Sequence, residues 1–149
     1  MNVSFKRLQY LAKNMKSSEV KEFEALLSSY MEKKDEETLK NLLKLFNDKN
    51  HFYEVLYSLV HLVETWPAEI YVKTLIDTLS VQINQSPFWT DCLFNRIFNN
   101  PQTFFLFKKN MQLAPKKDLL ELFDLMDKES PHHKAVIEEL RQQLKLRYI

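Results

Sequence analysis

Three residues with reactive side chains share one face of a helix predicted over positions 51–66. At 100° per residue, Glu54, His61 and Glu64 fall on the same side as Tyr57. A carboxylate within reach of an imidazole can orient the ring and raise its pKa, which is useful in general acid–base catalysis. His61 and Glu64 are also three residues apart, as are the ligand pairs of carboxylate-bridged metal bundles.

The rest of the sequence completes neither kind of site. A metal bundle needs a second Glu-x-x-His pair, and His132 and His133 instead follow Pro131 in a predicted exposed first turn. Cys92 lies in an apolar segment, which favours an inert core thiol over a nucleophile. There is no nucleophile elbow, oxyanion loop or zinc motif. We therefore predict that the protein is not an enzyme and has no catalytic residue, no metal and no cofactor.

Charge and hydropathy exclude further classes. The 21 basic and 20 acidic side chains nearly cancel and alternate along the chain, whereas a nucleic-acid binder usually concentrates its basic residues. No apolar run approaches the roughly 20 residues that cross a bilayer. The start lacks the order of a secretory signal, and a single cysteine cannot form an intramolecular disulfide. We predict no direct nucleic-acid binding, no membrane association and a cytoplasmic location.

Glycine is absent from the sequence, against an average of about 7%. Glycine-rich phosphate loops of the Rossmann and P-loop types are thereby excluded, and tight hairpins become unfavourable. We expect Asn47, Asn50 and Asn99 to adopt the left-handed conformation that glycine usually supplies at helix ends.

Proline and periodicity predict an all-α fold. Each of the five prolines stands where a helix can begin. The run Phe104–Phe107 could form a strand by itself, but its setting favours a helix. The predicted helices cover about 4–14, 18–30, 35–46, 51–66, 67–81, 87–98, 101–112, 115–128 and 131 to the terminus. We predict one domain, 1–149, of eight to nine short helices in two layers, as a short α-solenoid or an irregular helical array.

Two of these helices are predicted to be mostly buried. The 51–66 helix has a broad apolar arc, and the 87–98 helix is apolar on nearly all sides, Phe88 included. Buried charges need partners. We therefore predict a polar network in which Arg96 reaches Glu64, with His61 and Asn99 beside them, and which locks the two helices together.

Two groups of residues between positions 51 and 99 resemble the polymorphic-toxin immunity proteins of the all-helical family numbered thirty. The first patch is Val60-His-Leu-Val-Glu64 with Trp66 and Ile70-Tyr-Val72. The second is Ser86-Pro-Phe-Trp89 followed by Asn95-Arg-Ile-Phe-Asn99. The resemblance implies a bacterial immunity protein of the contact-dependent growth inhibition type, which binds and neutralises a cognate toxin domain without catalysis or cofactor.

The resemblance also suggests which residues meet the toxin. Toxins of these systems are often nucleases with basic clefts, and their inhibitors would present acidic groups. The candidate contacts are Asp35, Glu36, Glu37, Asp118, Glu121 and Asp124. An ordinary solvated helix face is the alternative interpretation of the last three. Two points stay open: the oligomeric state, and a second function as a helical scaffold or adaptor that binds a peptide or protein in a concave groove.

Overall fold

The computed structural model describes residues 3–147 and contains ten α-helices within that range. They are α1 (Val3–Asn14), α2 (Val20–Ser28), α3 (Glu36–Leu43), α4 (Tyr53–Val63), α5 (Ala68–Asp77), α6 (Leu79–Gln85), α7 (Pro87–Asn99), α8 (Pro101–Asn110), α9 (Lys116–Glu129) and α10 (Lys134–Arg147). Short 3₁₀ turns cover Ser17–Glu19, Met111–Leu113 and Pro131–His133. The chain is 80% helical with no strand among the described residues, which confirms the all-α prediction.

Proline marks the helix starts as predicted. Pro87 and Pro101 occupy the first turns of α7 and α8, and Pro67 and Pro115 directly precede α5 and α9. Pro131 opens the 3₁₀ turn that leads into α10. Proline fits these positions because its missing N–H would have no intrahelical partner there. The run Phe104–Phe107 is helical, as its setting indicated.

The helix predicted over 67–81 is divided, which raises the number of helices to ten. The break falls at Thr78, whose φ of −102° and ψ of 12° lie outside the helical range. Its hydroxyl donates to the Thr74 carbonyl at 2.9 Å, a competition for backbone oxygens typical of Thr inside helices. Beyond the break, the buried Gln82 donates its side-chain amide to the Leu43 carbonyl at 3.2 Å. This bond directs α6 toward the end of α3.

Asparagine does not replace glycine in the way the sequence suggested. No described residue has a positive φ, so the expected left-handed conformation was wrong. The side chains work instead: Asn47 Oδ1 accepts from the Lys49 N–H, and Asn50 Oδ1 accepts from the Phe52 N–H. These Asx-type bonds turn the chain without a left-handed residue.

A single hydrophobic core extends from Phe5 to Leu144. Helix α4 contributes Val55, Leu56, Leu59 and Val60 to this core, and all four side chains are buried. The most extensive packing joins helices close in chain order: α3 with α5, α5 with α8, and α7 with α8 and α9. The chain therefore advances from α1 to α10 as an irregular helical array.

Candidate interaction site on α4 and α7

Side chains of α4 and α7 meet in the same order along the two helices. Three contacts follow one another along them: Tyr53 with Phe88, Tyr57 with Cys92, and Glu64 with Arg96. We call this line of contacts the α4–α7 seam. The buried face of α4 is turned toward the core, so the side that carries Tyr57 and Glu64 is left at the seam and open to solvent on one edge.

Glu64 and Arg96 form a two-point ion pair at one end of the seam. Arg96 Nε donates to Glu64 Oε2 and Arg96 Nη2 to Glu64 Oε1, each at 2.8 Å. The hydrogen bond with Glu64 raises the pKa of Arg96. Their side chains are 26% and 42% exposed, so the pair is not buried as the sequence suggested. Bidentate geometry makes the contact specific, and solvent limits its contribution to stability.

The ion pair forms part of the wall of a groove of about 490 Å³. Asn99 lines the same groove and is exposed, near the predicted partners but on the rim. Tyr71 also lines it with only 3% of its surface exposed, and its hydroxyl has no hydrogen-bond partner within the described residues. Burial raises the pKa of Tyr71. The groove is thus lined by the side-chain amides of Asn99, Asn100 and Gln102 and by the unsatisfied Tyr71 hydroxyl.

The structure does not bring His61 to the ion pair. His61 is exposed and lines a separate groove of about 330 Å³ between α2 and α4, together with Leu27, Met31 and Thr65. Residues three apart are rotated by about 60° around a helix. On α4 that rotation is enough to place Glu64 at the seam and His61 at the neighbouring groove.

The other end of the seam is aromatic. Trp89 is completely buried, and the rings of Tyr57 and Phe88 approach it edge-on, each with a centroid distance of 5.1 Å. Tyr53 contacts both Trp89 and Phe88, at 6.2 and 5.8 Å. Yet Tyr53, Tyr57 and Phe88 are 47%, 41% and 45% exposed. Exposed aromatic residues held against a buried ring are typical of protein-binding surfaces.

Phe88 corrects the expectation that the whole 87–98 helix is buried. Its backbone N–H donates to Asp48 Oδ2 at 2.8 Å, which satisfies one N–H group of the first turn of α7, and the next residue, Trp89, takes the core position. Of the aromatic residues of α4, sequence reasoning placed only Tyr57 on the polar side. The signal for Tyr53 was available, because helical rotation puts it within 40° of Tyr57.

Two of the three acidic candidates near α3 make contacts within the chain. Asp35 caps α3 by accepting from the Thr38 N–H at 2.7 Å, and this bond lowers the pKa of Asp35. Glu36 lies 3.5 Å from Lys40 one helical turn away. Glu37 is exposed on the same first turn.

The acidic candidates on α9 are likewise engaged within the chain. Asp124 and Asp127 bind Arg141 at 2.8 and 2.7 Å, and Glu121 lies 3.9 Å from Lys117. Asp118 lies in the first turn of α9, where a carboxylate complements the helix dipole. These pairs fit the interpretation of α9 as an ordinary solvated helix face.

Three further features bear on the chemistry that residues 3–147 can support. Residues 3–147 contain no group of three or more His, Cys, Asp and Glu side chains placed to hold a metal ion. Burial raises the pKa of Cys92, which works against a reactive thiolate. No helix in that range is long and apolar enough to cross a membrane.

Comparison with known proteins gives one match. A family model described as Immunity protein 30 matches residues 11–107, well over half of the chain. The matched segment contains both resembling patches and the whole α4–α7 seam, and it ends before α9. Searches of curated proteins and of solved structures give no significant match.

Proposed function

This chain belongs to the immunity protein 30 family, and we propose that it binds one cognate toxin domain in the cytoplasm and neutralises it by direct contact. The family match carries the proposal, because membership implies a toxin partner. Inhibition of this kind needs no catalysis and no cofactor. The protein has only to cover the toxin's active site or hold the toxin in an inactive form.

The exposed surface supports such a role. A specific protein complex buries about 1,600 Å² in total, and a few aromatic or arginine side chains supply most of its affinity. Tyr53, Tyr57 and Phe88 form an exposed aromatic group of this composition, fixed in place by Trp89. We assign Glu64 and Arg96 the role of holding α4 against α7, so that the aromatic group keeps its shape.

Co-expression tests the proposal. The open reading frame next to this gene is expressed in a bacterial host with and without the chain, and growth and co-purification are scored. We expect rescue of growth and a stable complex, since direct inhibition requires both. An inactive toxin variant and an unrelated immunity protein serve as controls. Rescue without a complex would contradict direct binding, and loss of both would contradict the function.

The alternative of a peptide-binding adaptor would use a different surface. The groove between α2 and α4 is the concave candidate, with Met31 53% exposed beside Leu27 and Leu62. Met31→Glu would then abolish partner binding and leave the seam intact. Full rescue by Met31→Glu in the co-expression test would favour toxin immunity through another surface.

A further inference from the structure

Four lysines near the end of α1 have no acidic partner among the described residues. They are Lys13, Lys16, Lys44 and Lys49. Lys13 lines two grooves, of about 430 and 130 Å³, which it shares with Lys16 and Lys49 on one side and with Lys44 on the other. No acidic residue lines either groove. In a chain of net charge +1, this is a local cluster of lysines without ion pairs, since the nearby carboxylates of Glu19 and Asp48 accept from the backbone N–H groups of Lys16 and Phe88.

Exposed apolar side chains gather around the same lysines. Of the nine large hydrophobic residues that are exposed in the described part of the chain, five lie here or at the adjoining aromatic end of the seam: Tyr10, Tyr53, Tyr57, Val81 and Phe88. Tyr10 and Val81 each line one of the lysine grooves. His51 joins the grooves to the seam, because it lines one of them and its ring meets Tyr53 at 6.3 Å.

We call this surface the basic–aromatic face, comprising the four lysines and these five residues. Hydrogen bonds hold its segments together. Asn50 is buried and donates to the Ala12 carbonyl at 3.2 Å, which ties the segment after α3 to α1. Asp48 binds the first turn of α7, and Gln85 donates to the Phe46 carbonyl at 2.7 Å. A surface ordered before binding avoids the entropy cost of ordering loops.

We propose that the basic–aromatic face is the docking site for the toxin, and that it receives an acidic patch of the toxin surface. This inference rests on the proposed function. The aromatic side chains have the composition of binding hot spots, and the unpaired ammonium groups around them complement carboxylates. The charges at the interface are then opposite to those expected from the sequence, with acidic groups on the toxin and basic groups on this chain. Most of the candidate carboxylates of this chain cap a helix or pair internally.

A protein partner fits this face better than a nucleic acid. Nucleic-acid binders are strongly basic overall, whereas this chain is close to neutral. The exposed rings of Tyr57 and Phe88 also meet Trp89 at steep angles, 77° and 90°, and Tyr53 is inclined by 47° to Phe88. That arrangement presents a knobbed apolar surface instead of parallel platforms on which bases could stack.

Charge reversal tests the lysines. The triple variant Lys13→Glu, Lys44→Glu, Lys49→Glu is compared with Lys73→Glu, Lys134→Glu, Lys145→Glu, whose lysines are exposed on α5 and α10. Binding to the purified, inactivated toxin domain that the co-expression test identifies is measured by calorimetry at low and high salt. We expect about 100-fold weaker binding and a reduced salt dependence for the first triple, and less than about threefold change for the second. Thermal melts establish that both variants fold.

Two single substitutions of phenylalanine test the apolar part of the face. Phe88→Ala should weaken toxin binding by about 30-fold, the effect of removing a hot-spot side chain. Phe105→Ala is the matched control, because Phe105 on α8 is more exposed, at 62%, and lies outside the face. Equal affinities for the two variants would overturn the assignment.

The outcomes separate the two proposals. A wild-type chain that fails to bind the toxin removes the proposed function and this inference with it. A wild-type chain that binds, together with a face triple that binds equally well, overturns the docking site and leaves the function standing. Tight binding of a fluorescent single-stranded DNA oligonucleotide that is lost in the face triple, with toxin binding unchanged, would identify a nucleic-acid surface and also overturn the inference.

Discussion

Two charged regions of this molecule differ in whether their basic side chains form ion pairs. Arg141 on α10 is 21% exposed and lies between three carboxylates, at 2.8 Å from Asp124, 2.7 Å from Asp127 and 3.4 Å from Glu138. The lysines of the basic–aromatic face have no carboxylate within ion-pair distance among the described residues. A charge neutralised inside the chain contributes to stability and has little left for a partner. A charge without a partner contributes nothing to the fold and remains available for binding.

Trp89 should affect both stability and binding, because it supports the binding face from within the core. We expect Trp89→Ala to lower the free energy of unfolding by about 3–5 kcal/mol, the usual cost of a large aromatic cavity, and to weaken toxin binding as well. Chemical denaturation and calorimetry measure the two effects. The control is Phe123→Ala on α9, also completely buried, which should cost similar stability while the folded fraction keeps full affinity. Loss of affinity in both variants would contradict the distinction.

Arg141→Met tests the role of a basic side chain that is paired within the chain. Removal of the cation leaves the half-buried Asp127 without its partner, at a cost of about 1–2 kcal/mol. At about 2–4 °C per kcal/mol for a chain of this size, the Tm should fall by roughly 2–8 °C. The same change on the face, Lys49→Met, should leave the Tm within about 1 °C and reduce toxin affinity. The reverse pattern would show that the two regions had been assigned the wrong roles.

Glu64→Gln should have a smaller effect on stability, because the Glu64–Arg96 pair is open to solvent. We expect a loss of about 0.5–1 kcal/mol in a denaturant titration, and partial recovery in the swapped double variant Glu64→Arg, Arg96→Glu. Protection from the toxin should decline only as far as stability does. If Glu64→Ala left the melting temperature unchanged but abolished protection, the pair would be a toxin contact and not a link between helices.

The smallest expected effect concerns His133, in the turn between α9 and α10. Its ring meets Phe98 at 5.5 Å, and burial lowers the pKa of His133 below its usual value. The unfolded chain therefore takes up a proton near pH 6.5 before the folded protein does. Stability is retained above that pH and falls as the pH drops from there toward the folded-state value. Urea midpoints at pH 7 and pH 5 should show the loss, and His133→Gln should reduce it.

Much of the fold follows from local signals. Proline at Pro67, Pro87 and Pro101 and the cap at Asp35 determine where helices begin whatever packs against them, since they act on the first turn itself. The break at Thr78 was missed because a hydroxyl bond to the preceding turn leaves no trace in apolar periodicity. The left-handed asparagines were a wrong inference for a related reason: an Asn side chain can satisfy the turn without moving φ.

The candidate site was less accessible to sequence reasoning. The Glu64–Arg96 contact followed from two charges on predicted apolar helices, but the exposure of the pair did not. Phe88 was expected inside because its segment is apolar on nearly every side. Which aromatic residue enters the core depends on the contact between Asp48 and the first turn of α7, and those residues are distant in the sequence.

By itself, the sequence determined the helical class, most helix boundaries and the resemblance to an immunity family, because caps, prolines and motif residues act locally. Only the tertiary structure decided which charges are neutralised and which are not. Lys13 and Lys44 meet across a groove because Asn50 ties the segment after α3 to α1, whereas Arg141 meets Asp124 because α10 packs on α9. Pairing of charges depends on distance in space. A nearly neutral composition therefore does not show which charged side chains lack a partner.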